Sequence, residues 1–141
     1  MANSLTYPFS TSSLTHLTTR VHPDLQRLFF AVAMHVNCSV LDGIRTIEEQ
    51  RRDVKEGKSE TLASKHLPQS DGLSHAVDVA PYPQRWNDEK WKIDLWYFGG
   101  FVLGVAAQMG IGIRWGGNWK RDNDPENNGF QDLDHFQLAN V

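Results

Sequence analysis

One long apolar pattern constrains the fold of this chain more than any other feature. Between residues 88 and 109, apolar side chains recur at helical spacing on one side, and Gly110 follows as a terminator. The apolar side consists of Trp91, Leu95, Phe98, Val102, Val105 and Met109. We therefore predict the longest helix of the fold here.

The remaining apolar segments are shorter and indicate a mixed α+β domain. A helix is predicted from Pro23, because Leu25, Leu28, Phe29, Val32 and Val36 follow at helical spacing. A second helix is predicted over residues 46–55, where Thr46 and Glu49 have the spacing of a capping box. Short strands are predicted at residues 39–45, 75–80, 111–115 and 135–138.

The 141 residues fit a single domain, with a small, mainly antiparallel sheet packed on helices. Residues 1–19 are rich in Ser and Thr and are expected to form a loosely packed lead-in. The order of the strands does not follow from the pattern.

Composition excludes some classes of function and compartment. The net charge of −3 argues against a nucleic-acid binder. The one cysteine, Cys38, lies in an apolar stretch and is expected to be a buried, inert thiol. The first residues do not resemble a secretory signal and no apolar run is long enough for a membrane span, so we expect a protein kept in the cytoplasm unless it is released.

Two short strings carry His and Asp near one another. In a strand over residues 75–80, Asp78 shares its face with Ala76 and Ala80, which leaves room for an ion at its carboxylate. His75 would point to the opposite face. The alternative is an ordinary polar residue on a half-exposed strand.

The second string is residues 132–136. Asp132 precedes the predicted strand and can curl to the side of His135, whereas Asp134 is expected to point away. Two His and one carboxylate form a common catalytic zinc set that leaves a position for water. A further carboxylate can then act as general base. Spacing alone does not establish such a site.

Residues 64–66, 76–82 and 132–136 resemble the motifs of the zinc D-alanyl-D-alanine carboxypeptidase (VanY-like) family. The similarity is greatest to its phage L-alanyl-D-glutamate endopeptidases. Residues 43–50 and 113–119 resemble further segments of the family, in the same order along the chain.

The resemblance implies a Hedgehog/DD-peptidase-like fold in which His66, Asp78 and His135 bind Zn²⁺ and Asp132 is the general base. It also implies substrate contacts, which would come from Arg45, Gln50 and Ser64. For Arg45, the alternative is a surface ion pair with Glu48 or Glu49.

The chain departs from the family pattern at residues 67–73, which are inserted between the first His and the Asp, and Ser74 occupies the usual Gly position. The insertion makes His75 a rival to His66 as first ligand. His66 is favoured for two reasons: on a regular strand His75 points away from Asp78, and residues 64–66 resemble the family motif around the first His.

The resemblance implies an endolysin that hydrolyses an amide of the peptidoglycan stem peptide, between L-alanine and D-glutamate, after release from the host cytoplasm through a holin. We expect a monomer without nucleic-acid or stable membrane partners. The alternatives are a D-alanyl-D-alanine carboxypeptidase or dipeptidase, and a zinc-binding module without catalysis. The acidic segment 122–126 lacks the ligand order of an EF-hand and is expected to be a solvated turn.

Overall fold

The computed structural model describes residues 9–58, 63–124, 126 and 131–139. The helices are α1 (Thr11–Thr18), α2 (Pro23–Ala33), α3 (Ile47–Lys55) and α4 (Trp91–Met109). The strands are β1 (Cys38–Asp42), β2 (Ala76–Pro81), β3 (Ile113–Gly116) and β4 (Asp132–Leu138). They form one sheet in the order β1-β2-β4-β3, with every neighbouring pair antiparallel. The predicted α+β fold is confirmed.

Local signals in the sequence explain where the helices begin and end. Pro23 stands in the first turn of α2. Thr46 caps α3, and its reciprocal bonds with Glu49 complete the predicted capping box. Gly110 ends α4 in the left-handed conformation, at a φ of 72°.

The expected loose lead-in does not hold for residues 11–18. They form α1, which is capped by Ser10 and buries Leu17 completely. The hydroxyl of Ser13 accepts a hydrogen bond from the Val40 N–H, which ties α1 to β1. The Ser and Thr content concealed this helix, because these residues serve here as a cap and as a link to the sheet.

The two faces of the sheet have different roles. Val77 and Phe136 are register partners in β2 and β4, and both lie in the core. Phe136 packs against Phe29 of α2 and Phe98 of α4, so these helices cover that face. Side chains alternate along a strand, so the next pair, Asp78 and His135, faces the other way.

Two further expectations from the sequence concern membrane spans and the acidic segment 122–126. None of the helices in the described ranges has the length and apolarity needed to span a bilayer. In the acidic segment, the Asp124 N–H donates to Asp122 Oδ1 at 2.9 Å and the Glu126 N–H donates to Asp124 Oδ1 at 3.0 Å. These are bonds of a polar turn.

Cys38 is expected to resist alkylation in the folded protein. It is 4% exposed in β1, and burial raises the pKa of its thiol to about 12. At pH 8 such a pKa leaves about one thiol in 10⁴ ionised, and the thiolate is the reactive form. Iodoacetamide labelling followed by mass spectrometry should be at least ~100-fold slower in native protein than in urea. Equal rates would contradict the burial.

Candidate metal centre and active site

Three predicted ligands converge on the face of the sheet opposite to α2 and α4. His66 Nε2 lies 3.1 Å from Asp78 Oδ1, and His135 Nδ1 lies 3.3 Å from the same oxygen. One ligand atom from each residue lies within 4.8 Å of the other two. Asp78 comes from β2, His135 from the neighbouring strand β4, and His66 from the loop before β2.

The spacing of these atoms fits a tetrahedral zinc ion. Ligands at the roughly 2.0–2.1 Å bond length of zinc stand about 3.3 Å apart in a tetrahedron. The two separations from Asp78 Oδ1, 3.1 and 3.3 Å, are close to that value without rearrangement. Two imidazoles and a carboxylate are also the donor types of catalytic zinc.

Hydrogen bonds on the far side of each ring direct the free nitrogen to the cluster. His66 Nδ1 lies 2.7 Å from the Gly43 carbonyl oxygen, which can only accept, so this nitrogen carries the proton. His135 Nε2 lies 2.9 Å from Gln137 Oε1. With both outer nitrogens donating, His66 Nε2 and His135 Nδ1 keep their lone pairs for a metal.

Arg45 contacts the third ligand, Asp78, through the carboxylate oxygen that the two histidines do not contact. Its Nη2 lies 2.5 Å from Asp42 Oδ2 and 3.5 Å from Asp78 Oδ2, and its Nη1 lies 3.4 Å from Asp53 Oδ2. Asp42 and Asp78 are register partners in β1 and β2, so the guanidinium bridges the two strands. It thereby turns Asp78 Oδ1 toward the two histidines.

The three residues that were expected to contact substrate, Arg45, Gln50 and Ser64, differ in their position relative to the cavity. Arg45 lines the cavity, and within the described chain its ion pairs at 4.0 Å or less are with Asp42, Asp53 and Asp78, not with Glu48 or Glu49. Ser64 also lines the cavity, and its hydroxyl accepts from the His66 N–H at 3.0 Å. Gln50 is not among the residues that line the cavity: it is completely buried and accepts from Arg45 Nη1 at 2.7 Å, and its contact with substrate stays a prediction.

The pKa values of the ligands reflect one compact charge cluster in the metal-free chain. Burial alone would raise the pKa of Asp78, but the charges and hydrogen bonds of His66 and His135 outweigh it and hold that pKa well below its usual range. Burial would lower the pKa of His135, but Asp78 and Asp132 outweigh it and raise that pKa. A metal must displace the proton of His135, so metal affinity should fall as the pH is lowered through this raised pKa.

A second pair of carboxyl groups stands at the edge of the cluster. Asp132 Oδ2 lies 4.0 Å from His135 Nδ1, and its side chain is 36% exposed. Asp134 lines the same cavity, contrary to the expectation that it points away. Burial and the nearby carboxyl groups of Asp78 and Asp132, the latter also a hydrogen-bond partner, raise the pKa of Asp134 to about 9. The cavity that contains these groups has a volume of about 680 Å³.

An irregularity in β4 brings these acids to the site. Trp115 pairs with Phe136, yet the next residue, Gly116, pairs with Asp132, so residues 133–135 have no partner in β3. This bulge breaks the two-residue alternation of side chains. A Cβ on Gly116 would stand 1.8 Å from the Asp132 carbonyl oxygen, so the close approach requires glycine.

His75 lies outside this cluster. Its Nε2 lies 2.8 Å from Asp71 Oδ2, and its ring packs edge-on against His22 at a centroid distance of 5.2 Å. It is not among the residues that line the cavity. The structure therefore brings His66, and not His75, to Asp78 and His135.

Comparison with known proteins identifies the family. Residues 5–139 match the model of the phage L-alanyl-D-glutamate peptidase family. The chain belongs to this family. The crystal structure of the L-Ala D-Glu endopeptidase ChiX of Serratia marcescens matches at 32% identity and a TM-score of 0.70, over 99% of this chain and 96% of that one. The D,D-dipeptidase VanXYg, solved with a D-Ala-D-Ala phosphinate analogue, matches at 13% identity and a TM-score of only 0.39, over 82% and 47%. No curated protein matches.

Within this peptidase fold, Gly116→Ala is expected to displace Asp132. The new methyl group would force β3 and β4 apart where Gly116 meets the Asp132 carbonyl. We expect a loss of more than about 1 kcal/mol in the free energy of unfolding, together with a loss of hydrolytic activity on cell walls.

Gly104→Ala is the matched control, because nothing lies within 4 Å of its added Cβ in α4. It should raise stability by up to about 1 kcal/mol and leave activity unchanged. Urea unfolding and cell-wall turbidity assays measure the two effects. Wild-type activity and stability in Gly116→Ala would contradict this role.

Proposed function

We propose that this protein is a zinc-dependent peptidoglycan endopeptidase that hydrolyses the amide between L-alanine and D-glutamate of the stem peptide. The observation that carries the proposal is the convergence of His66, Asp78 and His135 beside Asp132, in a chain of the L-alanyl-D-glutamate peptidase family. Zinc held by these three ligands would supply a Lewis acid for the carbonyl and lower the pKa of water to about 7.

Asp132 is proposed as the general base. Its carboxylate stands at the edge of the ligand cluster and is partly open to solvent, so a water molecule can reach both. Asp132 would take a proton as the water oxygen bonds to the L-alanyl carbonyl carbon. The carboxyl group would then give that proton to the D-glutamyl nitrogen as the C–N bond breaks.

Cationic side chains on the cavity wall suit an anionic substrate. Arg45, Lys58 and Lys65 line the cavity, and the D-glutamyl residue carries carboxylate. We propose that Arg45 both supports Asp78 and lies close to the bound stem peptide. Ser64 is proposed to contact the peptide from the same wall.

Arg45→Lys is expected to lower kcat/KM by about 10–100-fold. Lysine keeps the charge but cannot bridge Asp42, Asp53 and Asp78 as the planar guanidinium does. The zinc dissociation constant should rise in parallel. Arg85→Lys is a matched control, because Arg85 is exposed and pairs with Asp88 and Asp94 elsewhere. Unchanged zinc affinity and kcat/KM in Arg45→Lys would refute both roles.

Digestion of purified muropeptides tests the bond. Mass spectrometry should find a new D-glutamate amine at the N-terminus of the released peptide. Release of D-alanine would instead identify a carboxypeptidase or dipeptidase. No cleavage by zinc-loaded, folded protein would favour a binding module without catalysis.

We also propose that a holin pore releases the enzyme from the host cytoplasm to the wall. The proposal rests on membership of a phage peptidase family. Expression in a bacterial host should cause lysis only when a holin is co-expressed. Lysis without a co-expressed holin would contradict this proposal.

A further inference from the structure

A second group of metal-ligand side chains lies away from the active site. His22, Asp71 and His75 each offer a ligand atom, and these atoms all lie within 4.8 Å of one another. His75 Nε2 lies 2.8 Å from Asp71 Oδ2. The His22 ring packs edge-on against that of His75. None of the three lines the catalytic cavity.

The backbone holds these residues together from separate parts of the chain. Asp71 belongs to the insertion of residues 67–73, His75 directly precedes β2, and His22 caps α2. Ser74 N–H donates to the Arg20 carbonyl at 2.8 Å, and His22 N–H donates to the Ser74 carbonyl at 3.0 Å. Arg20 Nη2 also donates to the Gly72 carbonyl at 2.9 Å. These bonds therefore hold the three residues close together before any ion binds.

We propose that His22, Asp71 and His75 form a second binding site for a borderline divalent metal ion such as Zn²⁺. Two imidazoles favour zinc, nickel or copper over calcium or magnesium, which prefer oxygen ligands. The His75 side chain is 5% exposed, whereas those of His22 and Asp71 are 19% and 38% exposed. Water can therefore reach the open side and complete the coordination.

The ion requires an adjustment at each of the three residues. His75 Nε2 now donates to Asp71 Oδ2, so this nitrogen must lose its proton to bind the ion. The 2.8 Å between His75 and Asp71 is a hydrogen-bond distance, and ligands of one zinc stand about 3.3 Å apart. Asp71 lies on an exposed loop and can move by this half ångström. His22 Nδ1 now accepts from the Asp24 N–H at 3.0 Å, so that ring must release its cap. His22 would then bind the ion through Nε2 and carry its proton on Nδ1, and the Asp24 carboxylate, 4.0 Å from Nδ1, can accept a hydrogen bond from that N–H.

The site would clamp the chain between two catalytic ligands. His66 precedes the insertion and Asp78 follows it, with Asp71 and His75 between them. His75 N–H also donates to the Lys65 carbonyl at 2.9 Å, next to His66. An ion at this site would raise the thermal stability of the protein in proportion to its occupancy.

Metal counting tests the proposal. Metal-free protein is dialysed against saturating free zinc, and zinc per chain is measured by mass spectrometry. Wild type should bind two ions, and His22→Asn and Asp71→Asn should bind one each. His66→Ala should also bind one, and the combination with His22→Asn should bind none. One zinc in wild type, or two in His22→Asn, would overturn the second site.

The variants are chosen to keep the fold. Asparagine caps helices as well as any residue, so His22→Asn preserves the start of α2 while it removes the imidazole. Asparagine at position 71 can still accept a hydrogen bond from His75. His35→Asn is the matched control, because His35 is exposed and outside both clusters, and it should retain two ions.

Two further readouts separate this site from the catalytic one. His22→Asn should keep wild-type hydrolysis and lose the zinc-dependent rise in melting temperature that belongs to the second ion. If His22→Asn lost its activity together with a zinc ion, the proposed independence of the two sites would be wrong. If wild type bound two ions and cleaved no stem peptide, the proposed function would fail while the second site stood.

Discussion

Asp132→Asn is expected to lower kcat by a factor of about 10²–10⁴ while the zinc ion proposed for the active site stays bound. Asparagine has nearly the same shape as aspartate but cannot take a proton from water. Because Asp132 lies 4.0 Å from His135 Nδ1 and is not one of the three clustered ligands, its loss should leave them intact. Muropeptide turnover and zinc content, measured on one preparation, distinguish a base from a ligand.

Asp134→Asn is the control that makes this result specific. Asp134 is a hydrogen-bond partner of Asp132 and has a raised pKa, so a neutral amide at this position should mimic its protonated form. We expect activity within about tenfold of wild type. A large loss in Asp134→Asn with little loss in Asp132→Asn would move the role of base to Asp134.

His66→Ala is expected to remove the catalytic zinc and with it nearly all hydrolysis. Only Asp78 and His135 would remain at that centre, and the Gly43 carbonyl would lose the shorter of its two hydrogen bonds and keep the 3.4 Å bond from the Ser74 hydroxyl. A Lewis acid contributes several kcal/mol to the transition state, so its loss should lower kcat/KM by a factor on the order of 10³ or more. Circular dichroism should verify that the variant is folded.

His75→Gln is the matched comparison for the assignment of the first ligand. Glutamine can still donate to Asp71 in place of the ring, so the insertion should keep its position. Hydrolysis should remain near the wild-type rate. Loss of hydrolysis in His75→Gln, with a normal rate in His66→Ala, would make His75 the catalytic ligand.

The helices and strands, and the face of the strand on which Asp78 lies, could be predicted because local sequence patterns specify them. The caps at Thr46 and Gly110 and the apolar side of α4 are local signals, and the structure contains all of them. The alternation of side chains along β2 correctly predicted that Asp78 and His75 face opposite sides of the sheet, because β2 pairs with β4 without interruption at this point.

The positions of Asp134, Gln50 and the partners of Arg45 depend on how separate elements pack together, which no local pattern specifies. Asp134 reaches the cavity only because β4 bulges opposite Gly116, and no pattern within residues 132–138 announces that bulge. Gln50 lies behind Arg45 because α3 packs its one fully buried residue there. Asp42 in β1 and Asp53 in α3 form ion pairs with Arg45. The sequence did not predict these pairs, because they depend on how β1 and α3 pack next to Arg45.

The order β1-β2-β4-β3 also has a consequence during protein synthesis. The last described strand is inserted between two strands that leave the ribosome before it. A nascent chain that has emerged only as far as β3 lacks both His135 and Asp132, and its sheet is still in two pieces. The peptidase is therefore expected to be silent until β4 has been translated, and to gain its fold and its activity when that strand joins the sheet.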